Sequence, residues 1–155
     1  MTEAQIRAAL QREGLRWLRT PYHHGANVHG AGVDCLMLLV EVFKACGCIP
    51  LDFDPRPYSH QWHLHRSEEV YLQGMERFGR LLPEGAAADV GDIAIWRFGR
   101  TFSHAGLLVR PQDGGELEVL HARMSAGEVT LDRLDASELA ARESRVFTFF
   151  GAEAC

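Results

Sequence analysis

The chain lacks any apolar run long enough to cross a membrane. Its longest, Leu36 to Val40, stops at Glu41, well short of the roughly 20 residues that a spanning helix needs. Basic charge is short as well. Sixteen Lys and Arg face 21 Asp and Glu, for a net charge of −5. The electrostatic footprint of a nucleic-acid binder is therefore missing, and nothing draws the protein to an anionic membrane. The first residues, Met1-Thr2-Glu3-Ala4-Gln5, carry neither the basic nor the apolar region of a secretory signal. Cysteine is sparse, at four residues, and Cys46-Gly47-Cys48 is an awkward spacing for a bridge, so no disulfide framework is expected. Repeats, low-complexity tracts and linkers are missing too. What remains, 155 residues at 46% hydrophobic and 24% charged, has an ordinary globular composition, and a single domain over 1–155 is expected.

Among the features present, helical patterns come first and strand patterns second. Thr2, with Gln5 three positions on, has the form of a capping box, opening a helix to about Leu18 along Ile6, Leu10 and Leu15. Residues 20–33 are rich in breakers and read as a loop. A second helix is expected over 34–45, with Cys46 and Gly47 as its end and left-handed cap. Residues 50–57 are extended and broken by proline. A third helix, over 67–78, starts at Ser67 with Glu68 and Glu69 in its first turn, as the macrodipole favours. Strand-like runs follow at 93–98, 105–110, 117–121, 129–131 and 146–150, with one helical turn within 136–142. The expected class is α+β, a helical layer packed on a five-stranded antiparallel sheet.

Cys35 opens the second helix, behind Gly32-Val33-Asp34. Unpaired N–H groups and the positive end of the helix dipole favour a thiolate there. A buried core cysteine would look the same in isolation, because a nucleophile needs a base. Two histidines supply one. Ser103-His104-Ala105 places His104 at the mouth of one strand, and Leu120-His121-Ala122 places His121 at the end of the next. Pro111-Gln112-Asp113-Gly114-Gly115 between them is a turn signal. A hairpin there brings both rings to one end of the sheet, in the nucleophile–base–orienter arrangement of a triad. Asp34 reads as the helix N-cap, as a group that meets a cationic substrate amine, or as both at once. A zinc site joining Cys46 or Cys48 with His60, His63 and His65 matches no established ligand spacing, so neither metal nor cofactor is expected. The segment around His60 to His65 reads instead as a cleft-side or partner-facing loop.

In this order, Tyr22, Asp34-Cys35, Gly91-Asp92, Ser103-His104 and His121-Ala122 resemble the NlpC-type cell-wall peptidases, a circularly permuted branch of the papain-like fold. The resemblance runs from about Thr20 to Phe150. Pro21-Tyr22-His23, Val33-Asp34-Cys35-Leu36 and Leu120-His121-Ala122 are most similar to the compact form encoded in phage tail and gene-transfer-agent clusters. The resemblance implies Cys35 as nucleophile, His104 as general base and His121 as third member, with Tyr22, Asp34 and Ser103 in the substrate groove. It further implies peptidoglycan stem peptides as substrate, phage-like tail-tip or baseplate proteins as partners, and a place in the virion tail. Two positions after the cysteine, where the family usually has a small residue, this chain has Met37; Leu36 replaces the common serine. Two other readings stay open: a peptidase-fold protein with a structural role in tail-tip assembly, and an amidase or acyltransferase using the same Cys/His/His site.

Overall fold

The computed structural model describes residues 1–58, 70–135 and 137–151. Helix α1 (Glu3–Leu15) begins with the full capping box: the Thr2 hydroxyl accepts the Gln5 N–H at 3.2 Å, and Gln5 Oε1 accepts the Thr2 N–H at 2.8 Å. It stops at Leu15 rather than near Leu18 because the chain must turn onto the sheet. Arg19 adopts a φ of 70°, and Arg19 and Thr20 exchange backbone bonds of 3.0 Å with Val129.

A small antiparallel pair, β1 (Asn27–Val28) and β2 (Gly32–Val33), then delivers the chain into α2 (Cys35–Ala45). Nearly the whole circumference of α2 is apolar and buried, from Cys35 to Val40 with Val42 and Phe43, as befits a central helix. Met37 is fully buried within the main core, so the bulk two positions after the cysteine is accommodated. The helix ends as its sequence implies. Gly47 takes a φ of 73°, its N–H bonds the Lys44 carbonyl at 3.0 Å, and the Cys48 N–H bonds the Phe43 carbonyl at 2.9 Å, which is a Schellman cap. Helix α3 (Val70–Phe78) follows. Its expected start at Ser67 with Glu68 and Glu69, and the His60 to His65 loop, lie outside the described residues.

The main sheet comprises β3 (Arg80–Leu81), β4 (Ile93–Phe98), β5 (Thr101–Val109), β6 (Glu118–Arg123), β7 (Glu128–Arg133) and β8 (Ser144–Thr148). It is antiparallel, in the order β3-β8-β4-β5-β6-β7. The five expected strands correspond to β4–β8. The sixth, β3, corrects the count: it has two residues, too few for any periodicity, and exists only by pairing with β8. A second correction concerns β5, which starts at Thr101 rather than Ala105, so Ser103 and His104 lie inside it. The expected helical turn is a 3-10 helix, Ser137–Leu139.

The helices cover one face of the sheet, over Ile93, Ile95, Leu107, Leu120 and Phe147. Each such fully buried side chain contributes about 1.5–3 kcal/mol. The opposite face carries a smaller cluster of Ala94, Trp96, Leu108, Val119 and Leu139. Buried Asp92 accepts from Arg7 at 3.0 Å and ties α1 to the start of β4. No helix among the described residues is long and apolar enough to cross a membrane.

Candidate active site

Cys35 is the first residue of α2 and is buried. Asp34 caps the helix in front of it. One carboxylate oxygen accepts the Met37 N–H at 2.8 Å; the other accepts the Gly25 N–H at 2.7 Å and the Tyr58 hydroxyl, with His24 Nδ1 3.8 Å away. Of the two roles open to Asp34, the structure displays the cap. With 2% of its surface exposed, its charge is spent on holding the loop before α2 in place.

The Cys35 Sγ lies 4.0 Å from the Ser103 carbonyl and opens onto a cavity of about 380 Å³. Tyr22, Ser103 and His104 line this cavity with it, beside the apolar Phe98, Met124 and Leu139 and the polar Arg123, Ser125 and Glu138. Phe98 ends β4, Ser103 and His104 lie near the start of β5, and Arg123 ends β6. Met124 and Ser125 belong to the β6–β7 turn, with Glu138 and Leu139 from the 3-10 helix, so the cavity sits at one end of the sheet.

A β-bulge aims His104. Trp96 pairs with His104 but the next residue, Arg97, pairs with Phe102, leaving Ser103 as the extra residue on β5. The His104 ring packs against Trp96 and Phe98, at centroid distances of 5.9 and 5.6 Å. His121 alternates with Leu120 and Ala122, which belong to the helix-covered core. Both rings therefore lie on the Trp96 side of the sheet, opposite the helix-covered face. Cys35 and His104 line one cavity at the sheet's end.

The two rings are bonded, His104 Nε2 to His121 Nδ1, at 2.8 Å. Gly106 makes room for this: a Cβ there would fall 2.3 Å from Val119 Cγ2 and 3.1 Å from His121 Cβ. Behind His121 stands a residue that the sequence reading missed. Asp132 Oδ2 accepts from His121 Nε2 at 2.6 Å, Thr130 Oγ1 at 3.0 Å and Arg123 Nη1 at 3.2 Å, and Arg123 also reaches Glu138 at 3.2 Å. The signal for Asp132 is non-local. Thr130 pairs with His121 across β6 and β7, so Asp132, two residues on, shares its face; the expected strand stopped one residue short, at Leu131.

Burial pushes the His104 pKa down to about 3, helped by the nearby positive charges of Arg123 and Arg142 and by His121. Burial also lowers His121, outweighing the hydrogen bond from Asp132 that favours its charged form. For Asp132, burial acts upward, but the bonds from His121 and Thr130 prevail and hold it below the usual carboxylate range. Tyr22 is raised by burial and by the charges of Cys35 and Asp34, so its hydroxyl stays a proton donor. No group of three or more His, Cys, Asp or Glu that could hold a metal occurs among the described residues; His60, His63 and His65 lie outside them.

No protein-family model matches the sequence, and no curated protein matches it at a significant level. Solved structures do match its shape. The NlpC/p60 domain of the peptidoglycan hydrolase SagA superposes with a TM-score of 0.58 at 18% identity, over 90% of this chain and 97% of that one. The fold is that of NlpC/p60 domains. NlpC1 from Trichomonas vaginalis gives a TM-score of 0.64 at 16% identity, over 92% of this chain and 43% of the longer protein. An N-acetylmuramoyl-L-alanine amidase from Bacteroides uniformis gives 0.57 at 13% identity, over 92% and 98%. In this NlpC/p60 fold, Tyr22, Cys35, Ser103 and His104 share one cavity. His121 stands behind His104, and Asp34 sits at the base of the helix.

Proposed function

We propose that the protein is a cysteine hydrolase of the NlpC type that cleaves amide bonds in peptidoglycan stem peptides. One observation carries this reading: the His104–His121 pair at 2.8 Å opens, through His104, onto the same cavity as Cys35. With Nε2 of His104 engaged by His121, Nδ1 is the nitrogen left to take the thiol proton. The sulfur then attacks the amide carbon, and the carbonyl electrons move to oxygen, where the Cys35 backbone N–H and the Tyr22 hydroxyl are the candidate donors. Collapse breaks the C–N bond as His104 protonates the leaving amine. Water then attacks the thioester, giving one proton to His104 and releasing the acid, and that proton returns to the thiolate. Each proton has a place to go. No metal or cofactor enters this scheme.

The substrate class rests on the sequence resemblance and on the peptidoglycan hydrolase and amidase names carried by proteins of the same fold. Purified protein incubated with peptidoglycan should release new amines, and Cys35→Ala should abolish the release while folding is kept. Removing a thiol at a helix start should cost about 1 kcal/mol or less. Mass analysis of the products distinguishes a bond within the stem peptide from the sugar–peptide amide. The structural reading replaces the enzymatic one if wild type binds its partners yet releases nothing. The setting we propose is a phage-like tail tip, supported by the similarity of Pro21-Tyr22-His23, Val33-Asp34-Cys35-Leu36 and Leu120-His121-Ala122 to tail-encoded members. Detection as a low-copy component of purified particles tests it.

A further inference from the structure

We propose that Asp132 is a positioning residue that fixes the tautomers of both site histidines, His121 directly and His104 through it. The inference rests on the cysteine-hydrolase reading, in which His104 must present a bare Nδ1 to the thiol. A carboxylate only accepts hydrogen bonds, so the 2.6 Å contact places a proton on His121 Nε2. Neutral His121 then has a bare Nδ1, which can only accept. The 2.8 Å contact from His104 Nε2 must therefore carry the His104 proton, and His104 Nδ1 is left with its lone pair. One carboxylate thus sets the proton positions on two rings.

The donors that share the Asp132 carboxylate with His121 would favour the opposite state. Thr130 Oγ1 and Arg123 Nη1 both donate to Asp132 Oδ2, at 3.0 and 3.2 Å. Without the carboxylate these two groups lose the acceptor they share with His121, and Arg123 can only donate. The Thr130 hydroxyl can donate or accept, whereas Arg123 favours a bare His121 Nε2 and a proton on Nδ1. That proton would face His104 Nε2, turn it into the acceptor and move the His104 proton to Nδ1. The base would then hold a proton where it must receive one. Asp132→Ala and Asp132→Asn therefore separate two effects. Alanine removes the acceptor, whereas asparagine keeps a carbonyl oxygen, on which the same three donors converge, and removes only the charge.

The experiment is nitrogen NMR of protein labelled in its histidine rings at neutral pH, with signals assigned through His104→Ala and His121→Ala, alongside steady-state turnover of stem peptide. Wild type should show both His104 and His121 protonated at Nε2. Asp132→Ala should move both protons to Nδ1 and lower kcat about a hundredfold or more, the scale of losing a general base, with KM changed less than about twofold. Asp132→Asn should keep the wild-type tautomers, because three donors hold its carbonyl oxygen in place, and should retain more kcat than Asp132→Ala. Thr130→Val should leave the tautomers unchanged. A wild-type His121 protonated at Nδ1, or an Asp132→Ala protein with unshifted tautomers, overturns the proposal. If Asp132→Ala does not fold, the wild-type and Asp132→Asn spectra decide it. The spectra need no substrate, so a protein that cleaves no stem peptide refutes the functional reading while the tautomer result stands by itself.

Discussion

Gly106→Ala should damage the histidine pair more than it damages the fold. An added Cβ would sit 2.3 Å from Val119 Cγ2, 3.0 Å from the Leu120 carbonyl oxygen and 3.1 Å from His121 Cβ. The Val119 methyl can rotate, but the Leu120 carbonyl belongs to the backbone where β5 and β6 pair, at Leu107 and Leu120. One strand must therefore move. Overpacking of this kind costs about 1–3 kcal/mol, within the roughly 5–15 kcal/mol that a domain has in hand, so the variant should still fold. A shift of about 1 Å between β5 and β6 stretches the 2.8 Å His104–His121 bond past the limit of hydrogen bonding. Misplacement on that scale costs about a hundredfold in rate. Thermal melting reports the first effect, and stem-peptide turnover per folded molecule the second. Phe43→Leu is the control. Phe43 packs on Phe149 at 4.6 Å in the helix-covered core, and its truncation should cost a similar 1–3 kcal/mol, roughly, with turnover per folded molecule intact. If Gly106→Ala melts earlier yet turns over at the wild-type rate, the ring geometry does not govern catalysis, and the triad assignment fails.

His104→Ala should lower turnover nearly as far as Cys35→Ala, because residues that act as a unit do not contribute additively; His121→Ala should fall between them and wild type. Asp92→Ala should destabilise toward the low end of about 3–5 kcal/mol by stranding a buried charge, since Arg7 retains Glu3 at 2.9 Å and the Val90 carbonyl at 2.6 Å; denaturant midpoints measure it, and turnover per folded molecule should not change. Stability should also fall with acid. His104 is held down to about 3 in the fold, whereas the unfolded chain protonates it near 6.5. The unfolded state thus binds more protons at any pH between those values, and stability drops on going from about 6.5 toward 3, by up to about 1.4 kcal/mol per pH unit for this group. Denaturant midpoints across that range should show the slope, and His104→Gln should flatten it.

Local signals carried the helical half of the molecule. The Thr2–Gln5 box, Asp34 before Cys35, and Cys46-Gly47 each act within four residues of where they stand, so a linear reading finds them. The strands at β4–β8 were legible by alternation. The two-residue β3 was not, since its only cause is the edge of β8. Asp132 escaped for the same reason: a lone acid on a strand has no local signature, and its meaning depends on which ring lies diagonally across the sheet.

The placement of His104 shows why the site was harder to read than the fold. Strict alternation along β5 would put His104 on the face of Phe102, which belongs to the helix-covered core. His121 lies on the other face, with Val119. The two rings could then never touch, however close their strands. One extra residue repairs the parity. Ser103 has no partner on β4, and by bulging out it lets Phe102 stay in the core while His104 turns to Trp96 and His121. The same bulge leaves the Ser103 carbonyl 4.0 Å from the Cys35 sulfur. The family resemblance implies Ser103 as a groove residue; the structure gives it a geometric task as well. Because a one-residue slip inverts every side chain beyond it, no count of apolar positions could have placed the bulge, and the meeting of the two rings hangs on it.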